Sequence, residues 1–408
     1  MTSPTPLSQR LSERLARQRE QGLWRQRPLT TRPQSVSTQI NGLATLNFAS
    51  NDYLGLANHP AIKDAARQAL NNNSNSVGSG AAHLISGHHL SHHLLEDELA
   101  DWLGVERTLL FSTGYMANLA VQQVLTEKGD RIVADKLNHA SLLDGARLSA
   151  AELKRYAHAD MTALSRRLQQ AQQAGQQAMV VTDGVFSMDG DLAPLAEIQA
   201  LCQTYQAWLF VDDAHGFGVL GDQGRGSFDH LGLTPDANTV QVGTLGKAFG
   251  TAGAFVAGSS HVIEALIQLA RPYIYTTASS PVIAEASRAA LKQVRNDAAR
   301  RQRLHHNIRH FRQQARAMQL PLMPSHTPIQ PLLIGDNART MALADCLKAA
   351  GFWVGAIRPP TVPKGSARLR ITLSADHTPA QIDRLIDTLA KTCTLQEAAQ
   401  KTAQGTES

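Results

Sequence analysis

Residues 211–221 read VDDAHGFGVLG and follow the apolar run Trp208, Leu209 and Phe210. A buried-strand pattern runs directly into two aspartates and a histidine, and the fold turns on what those residues serve. Gly216, Gly218 and Gly221 match G-x-G-x-x-G, the spacing of a dinucleotide-binding loop. Such a loop must open a helix and be followed, about 20 residues on, by an acid for the ribose. Here the continuation DQGRGSFDHLG is too rich in glycine to start a helix, and position 241 is Gln. The nicotinamide reading fails on context.

Asp212 supports a different reading. A carboxylate that follows four apolar residues is partly desolvated, which is costly unless it meets a cationic partner. A protonated pyridine nitrogen is such a partner, and His215, three residues on, can donate a hydrogen bond to a ring oxygen of the same ligand. The next strand pattern, TVQV at 239–242, leads into GTLGKAFG at 243–250. That places Lys247 on a neighbouring strand-end loop, 35 residues after Asp212. Small residues around a lysine let a planar cofactor lie close to the backbone, and a desolvated lysine near other cations can attack an aldehyde. A nucleotide-binding P-loop would need Gly at 241 and Ser or Thr at 248, where the chain has Gln241 and Ala248.

Working outward, apolar strand patterns at 131–134, 178–182, 207–211 and 239–242 are separated by segments long enough for crossover helices, such as 193–206. This alternation predicts an α/β fold with a mainly parallel central sheet flanked by helices, whose ligand lies beyond the carboxyl ends of the strands. After about residue 284 the pattern changes to a long Arg- and Gln-rich helix at 285–319. Short strands near 329–334 and 367–373 and helices around 338–350 and 379–391 complete a smaller C-terminal α+β domain. The expected divisions are an N-terminal helical segment at 1–44, a large domain at 45–283, the C-terminal domain at 284–394 and a disordered tail at 395–408. Leu7, Leu11 and Leu15 give the first segment an amphipathic helix over 7–21.

The 408 residues are 43% hydrophobic and 18% charged, with a net charge of +5 spread without long like-charge blocks. This composition suits a soluble cytoplasmic protein and gives no support to nucleic-acid binding, while anionic small molecules fit the charge. No stretch is long and apolar enough for a signal peptide or a membrane span. Cys202, Cys346 and Cys393 are isolated and suggest neither a disulfide framework nor a zinc site. His88, His89, His92 and His93 contain two i, i+4 pairs, but no matching acidic or cysteine ligand set stands nearby, so no metal is expected.

Six motifs together are similar to the α-oxoamine synthases, a family of pyridoxal-phosphate transferases of fold type I. They are SNDYLGL (50–56), STGYMAN (112–118), DKLNHASLLDG (135–145), TDGVFSMDGDLAPL (182–195), VDDAHGFGVLG and GTLGKAFG, and the likeness extends over about 23–375. The resemblance implies pyridoxal 5'-phosphate as cofactor, carried by Lys247 as a Schiff base. It pairs Asp212 with the pyridinium nitrogen, His215 with the ring's phenolic oxygen and His139 with the ring's outer face, with Ser187 also in contact. Gly114 and Tyr115, at a helix start, would hold the phosphate with Thr244, and Thr276 and Thr277 would do so from a second subunit of a homodimer. Arg370 corresponds to the arginine that binds the amino acid's carboxylate, while Arg25, Asn51 and Thr361 fall where the family contacts its substrates.

Within the family, AIRPPTVPKGSARLRITLS (356–374) and GSGAAHLISGHHLSHHLLEDELADWLG (78–104) point to the biotin-pathway branch. That branch condenses L-alanine with a pimeloyl thioester, on acyl carrier protein or CoA, and releases CO2. Branches that use glycine or serine, such as 2-amino-3-ketobutyrate CoA ligase, differ by single methyl groups, which are worth only about 1–3 kcal/mol. A carrier or scaffold that kept the fold without catalysis would have no need of Lys247, Asp212, His215 and His139 together.

Overall fold

The computed structural model describes residues 6–71 and 75–405, with side chains through 393. Thirteen strands are present: β1 (Ser37–Ile40), β2 (Leu43–Asn47), β3 (Arg107–Phe111), β4 (Arg131–Asp135), β5 (Glu152–Tyr156), β6 (Ala178–Asp183), β7 (Trp208–Asp212), β8 (Thr239–Thr244), β9 (Ala254–Gly258), β10 (Ile329–Gly335), β11 (Phe352–Trp353), β12 (Gly355–Ile357) and β13 (Ala367–Thr372). Seven of them form the central sheet in the order β3-β9-β8-β7-β6-β4-β5. The pairs from β8 to β5 are parallel, and β9 runs antiparallel to both β8 and β3. The expected mainly parallel sheet is therefore present, with one reversed strand near an edge.

The strand sequences read as near-continuous apolar runs because helices cover both faces. Phe210 of β7 lies in one core with Val121, Ile132 and Val256. Its neighbours Leu209 and Val211 lie in the other core with Val133, Leu164 and Ile198. That alternation is the two-residue period of a strand buried on both sides. β7 sits in the middle of the sheet between β6 and β8, so the loops leaving their carboxyl ends converge there.

Three expectations differ from the structure. The segment 1–44 is more than helical: helix Leu7–Glu20 is followed by β1, which pairs with β2 in a hairpin. Asn41 and Gly42 form its turn with φ of 51° and 80°, so the dipeptide Asn-Gly was a hairpin signal that the helical reading passed over. The helix expected at 285–319 is two, Pro281–Asn296 and Ala298–Ala317. Asp297 breaks it, because its side chain accepts the Arg300 N–H at 2.9 Å and starts the second helix. The last helix runs Pro379–Gly405, into the tail expected to lack order, because Leu395, Gln396, Glu397, Ala398 and Ala399 are strong helix formers whatever their lack of apolar pattern.

The C-terminal elements include a three-stranded sheet, β10-β13-β12. They share one continuous core with the first strands, which includes Phe48, Leu110, Phe311, Leu369 and Leu385. No helix among the described residues is long and apolar enough to cross a membrane.

Candidate functional site

Strands β6 and β7 end side by side, and the register sets Asp183 opposite Asp212. Asp212 is buried, and among the described residues its two oxygens take two donors: the Asn118 amide at 2.6 Å and the Ala214 N–H at 3.0 Å. Asn118 comes from helix Gly114–Leu125 and also donates to Ser141 at 2.8 Å, so it fixes the carboxylate from the side. Asp183 is held well above the usual carboxylate range, first by burial and then by the charge of Asp212. It accepts the His139 N–H at 2.7 Å and thereby anchors the loop that carries that histidine.

Asp213 belongs to the fold. It accepts both the N–H and the hydroxyl of Ser227 at 2.6 Å, and burial raises its carboxyl to about 6 against those two hydrogen bonds. Gly216 exists for this residue, because a Cβ there would lie 2.1 Å from Asp213 Oδ1. Gly218 and Gly221 have φ of 84° and 81°, in the left-handed region that favours glycine. Gly216 thus makes room for the buried carboxylate, Gly218 and Gly221 let the loop turn, and no helix among the described residues opens on the three.

Lys247 leaves the end of β8, and its Nζ lies 2.8 Å from His215 Nε2. Burial lowers the amine to about 8; the carboxylates of Asp212 and Asp183 oppose that shift and the charge of Arg370 adds to it. His215 is held well below the imidazole range, first by burial and then by the charge of Lys247. A neutral ring that accepts from Lys247 at Nε2 carries its proton on Nδ1, which faces Tyr53 Oη at 2.7 Å. The Tyr53 hydroxyl donates to Asn51 Oδ1 at 3.1 Å, and Arg370 Nη2 reaches the same oxygen at 3.2 Å. Arg370 Nε donates to the Ser187 carbonyl at 2.6 Å. One chain of hydrogen bonds therefore joins the amine of Lys247 to the guanidinium of Arg370, through residues from four separate stretches of sequence.

His139 caps helix Ala140–Leu148, with Nδ1 at 2.7 Å from the Ser141 hydroxyl. Its ring faces an open cleft of about 540 Å³ that Ser187 and Thr361 also line. Loss of hydration holds this imidazole below its ordinary range; the charge of Asp212 works against that shift. The N–H groups of Gly114 and Tyr115, in the first turn of their helix, have no acceptor among the described residues, which is the usual state of an anion-ready helix start. The Thr244 hydroxyl donates to the Gly253 carbonyl at 3.1 Å and accepts the Gly246 N–H at 3.2 Å.

Some residues stand apart within one chain. Thr277 forms a bridge with Ala82, and neither Thr276 nor Thr277 bonds another site residue through its side chain. Arg25 is exposed in the coil after the first helix. The histidine group does not have helical i, i+4 geometry throughout, because the helix begins only at Leu90, with His89 as its cap. His83, His88 and His92 approach one another, as do His88, His93 and Glu96. Both ring nitrogens of His92 are taken by backbone, at 3.0 Å from the His89 N–H and 2.8 Å from the Ser279 carbonyl.

Sequence reasoning passed over four residues. Tyr53 and Asn118 lay inside quoted motifs, and a polar residue on the inner face of an apolar helix was the available sign for Asn118. Asp183 ends an apolar strand as Asp212 does. His158 bridges Asp135 at 3.1 Å and Asp191 at 2.8 Å beneath the edge-on ring of Phe186. These contacts raise its imidazole to about 10 against the effect of burial, so it stays protonated and ties down the loop bearing Ser187. No pattern in the sequence marked it.

Residues 44–389 match the family model for aminotransferase class I and II. An 8-amino-7-oxononanoate synthase of Hydrogenovibrio crunogenus is 61% identical over 385 residues, 94% of this chain and 96% of that protein. Among solved structures, 8-amino-7-oxononanoate synthase from Francisella tularensis superposes with a TM-score of 0.75 at 32% identity, covering 86% of this chain and 99% of that one. A serine palmitoyltransferase from S. paucimobilis, solved with bound PLP and myriocin, reaches a TM-score of 0.88 at 28% identity over 95% of this chain and 98% of that one.

Proposed function

The chain belongs to the aminotransferase class I and II family and, within it, to the 8-amino-7-oxononanoate synthases, pyridoxal-phosphate-dependent acyltransferases; from that premise we propose that it condenses L-alanine with a pimeloyl thioester, on acyl carrier protein or CoA. The products are 8-amino-7-oxononanoate, CO2 and the free carrier. The observation that carries this reading is the half-buried amine of Lys247, held to about 8 and 2.8 Å from a neutral His215, beside the buried carboxylate of Asp212.

The residues present fit pyridoxal phosphate. Asp212 keeps acceptor capacity beyond its two donors and suits a protonated ring nitrogen, and the open N–H groups of Gly114 and Tyr115, with Thr244, suit the phosphate. When bound, the cofactor supplies an aldehyde for the amine and a ring that accepts the electron pair left on the amino acid's Cα. Lys247 would hold the cofactor through Nζ, and its freed amine would take the amino acid's Cα proton as general base. A pKa of about 8 lets it do so near neutral pH. Asp212 keeps the ring nitrogen protonated. Arg370 binds the alanine carboxylate, and its bonds to Asn51 and the Ser187 carbonyl fix the direction of its fork. His139 covers the outer face of the ring, Thr361 and Ser187 border the space for the acyl group, and Arg25 completes the substrate contacts.

The purified protein should be yellow, and Lys247→Ala should lose that visible absorbance. A Lys247→Ala protein that keeps the band would overturn the assignment. Turnover of alanine with a pimeloyl thioester should exceed that of glycine with an acetyl thioester, and the reverse order would move the chain to the ketobutyrate-ligase branch.

A further inference from the structure

The cleft beside His139 carries a charge pattern that the condensation itself does not require. Its wall is largely apolar, with Leu137, Leu143, Phe186, Met188 and Val362, which suits an alkyl chain. Four formally charged side chains also line it: Lys136, Arg155, Arg368 and Asp189. The one carboxylate is already matched, because Arg368 lies 2.5 Å from Asp189. Lys136 and Arg155 have no acidic partner among the described residues, so the cleft keeps two positive charges unpaired. Arg155 Nη2 donates to the Lys136 carbonyl at 2.6 Å, which holds the two cationic residues to one part of the wall.

Their place in the sheet sets the reach. Lys136 follows β4 and Arg155 lies on β5, the edge strand, while Asp212 ends β7. Three strand spacings separate β7 from β5, about 14 Å at roughly 4.8 Å each. Lys136 shares the loop after β4 with His139, and Arg155 lies on the next strand outward, so the cationic residues occupy the β5 side of the cleft, away from Asp212.

We propose that Lys136 and Arg155 form a subsite for an anionic group at the far end of an acyl thioester whose carbonyl reacts beside His139 and Ser187. This assignment rests on the condensation reading. The anion is a carboxylate or a phosphate, and it has two sources: the free terminus of a dicarboxylic acyl chain or the carrier's phosphopantetheine arm.

The holoenzyme, Lys136→Gln and Arg155→Gln are assayed with alanine and three thioesters: pimeloyl N-acetylcysteamine, its terminal methyl ester, and pimeloyl-CoA. Both positions are exposed, and Lys136→Gln keeps the backbone carbonyl that Arg155 grips. In the wild type the free acid should surpass its methyl ester. Each variant should cut that ratio of kcat/KM on the order of tenfold, chiefly through KM, and Lys136→Arg should restore it. That result assigns the acyl terminus, whereas a KM rise confined to the CoA substrate assigns the carrier phosphate. An equal response of all three thioesters, or a uniform loss of kcat, overturns the subsite. Calorimetry without turnover gives an independent reading: pimelate should bind more tightly than heptanoate, and Lys136→Gln should erase the margin. A wild type that shows this margin yet turns over none of the thioesters refutes the condensation reading and leaves the anion site standing. A wild type with no margin and no acid-over-ester preference, together with variants that leave the KM for pimeloyl-CoA unchanged, overturns the site.

Discussion

Asp212 and Asp213 are adjacent and both buried, yet their surroundings give them opposite duties. Asp213 spends its oxygens on Ser227, while Asp212 keeps acceptor capacity on the side of Lys247 and His139. Asp212→Asn should therefore still bind the cofactor but slow exchange of alanine's Cα proton with solvent by about 100-fold or more, as followed by proton NMR. Lys247 leads to a pH dependence. Its amine attacks only when deprotonated, so uptake of pyridoxal phosphate by cofactor-free protein should accelerate as pH rises to about 8 and level off above it. His158→Gln should lower stability by about 2–4 kcal/mol, because it leaves Asp135 buried without its cationic partner. The folded pKa of His158 lies above the unfolded one, so its contribution is complete below about 6.5 and fades as pH climbs through about 10. Thermal melts of the two proteins should accordingly converge toward pH 10. At this scale the sequence showed Asp212, His215 and Lys247 because each lies at the end of an apolar strand or within three residues beyond it. His158 escaped notice because its two partners, Asp135 at the end of β4 and Asp191 in the loop after β6, lie 23 and 33 residues away, and Tyr53 because its hydroxyl finds His215 only across the fold.

The elements repeat that division between local and distant causes. Parallel strands were legible because burial on both faces leaves uninterrupted apolar runs, and crossover helices were legible from the lengths between them. Breaks were harder to see: Asp297 interrupts one helical pattern with a single cap, and the Asn41-Gly42 turn sits between two four- or five-residue strands too short to show a period. The loop after β7 shows why a motif needs its context. Gly216→Ala forces a methyl group against Asp213 Oδ1 and should cost about 2–4 kcal/mol in denaturant unfolding. In the double variant Asp213→Ala/Gly216→Ala the combined cost should fall short of the sum of the singles, because Asp213→Ala removes the atom that the Gly216→Ala methyl strikes. Strict additivity would mean that the glycine answers to some other neighbour.

At the scale of the whole molecule, several large apolar side chains stand exposed among the described residues. Val77, Ile85, Leu90 and Tyr275 are 73%, 80%, 70% and 72% exposed, and the 77–82 and 277–280 stretches are joined by hydrogen bonds from Ser79 to Ala278 and from Ser280 to Val77. Thr276 and Thr277 lie beside Tyr275 and the bridge to Ala82, so we propose that this region is the face of a homodimer in which they serve the neighbouring subunit's phosphate. Ile85→Asp should shift sedimentation toward the monomer and weaken cofactor retention together. Loss of one without the other would separate assembly from the site.

A final consequence follows from the pairing of β2 with β11, where Leu46 meets Phe352 and Asn47 meets Trp353. The ribosome delivers the first partner 306 residues before the second, a delay of roughly 15–60 s at ~5–20 residues per second. Throughout that interval the nascent hairpin exposes a bare edge able to recruit other strands. Chaperone shielding at the exit tunnel, and the pace of translation downstream of it, thus become determinants of yield for this chain.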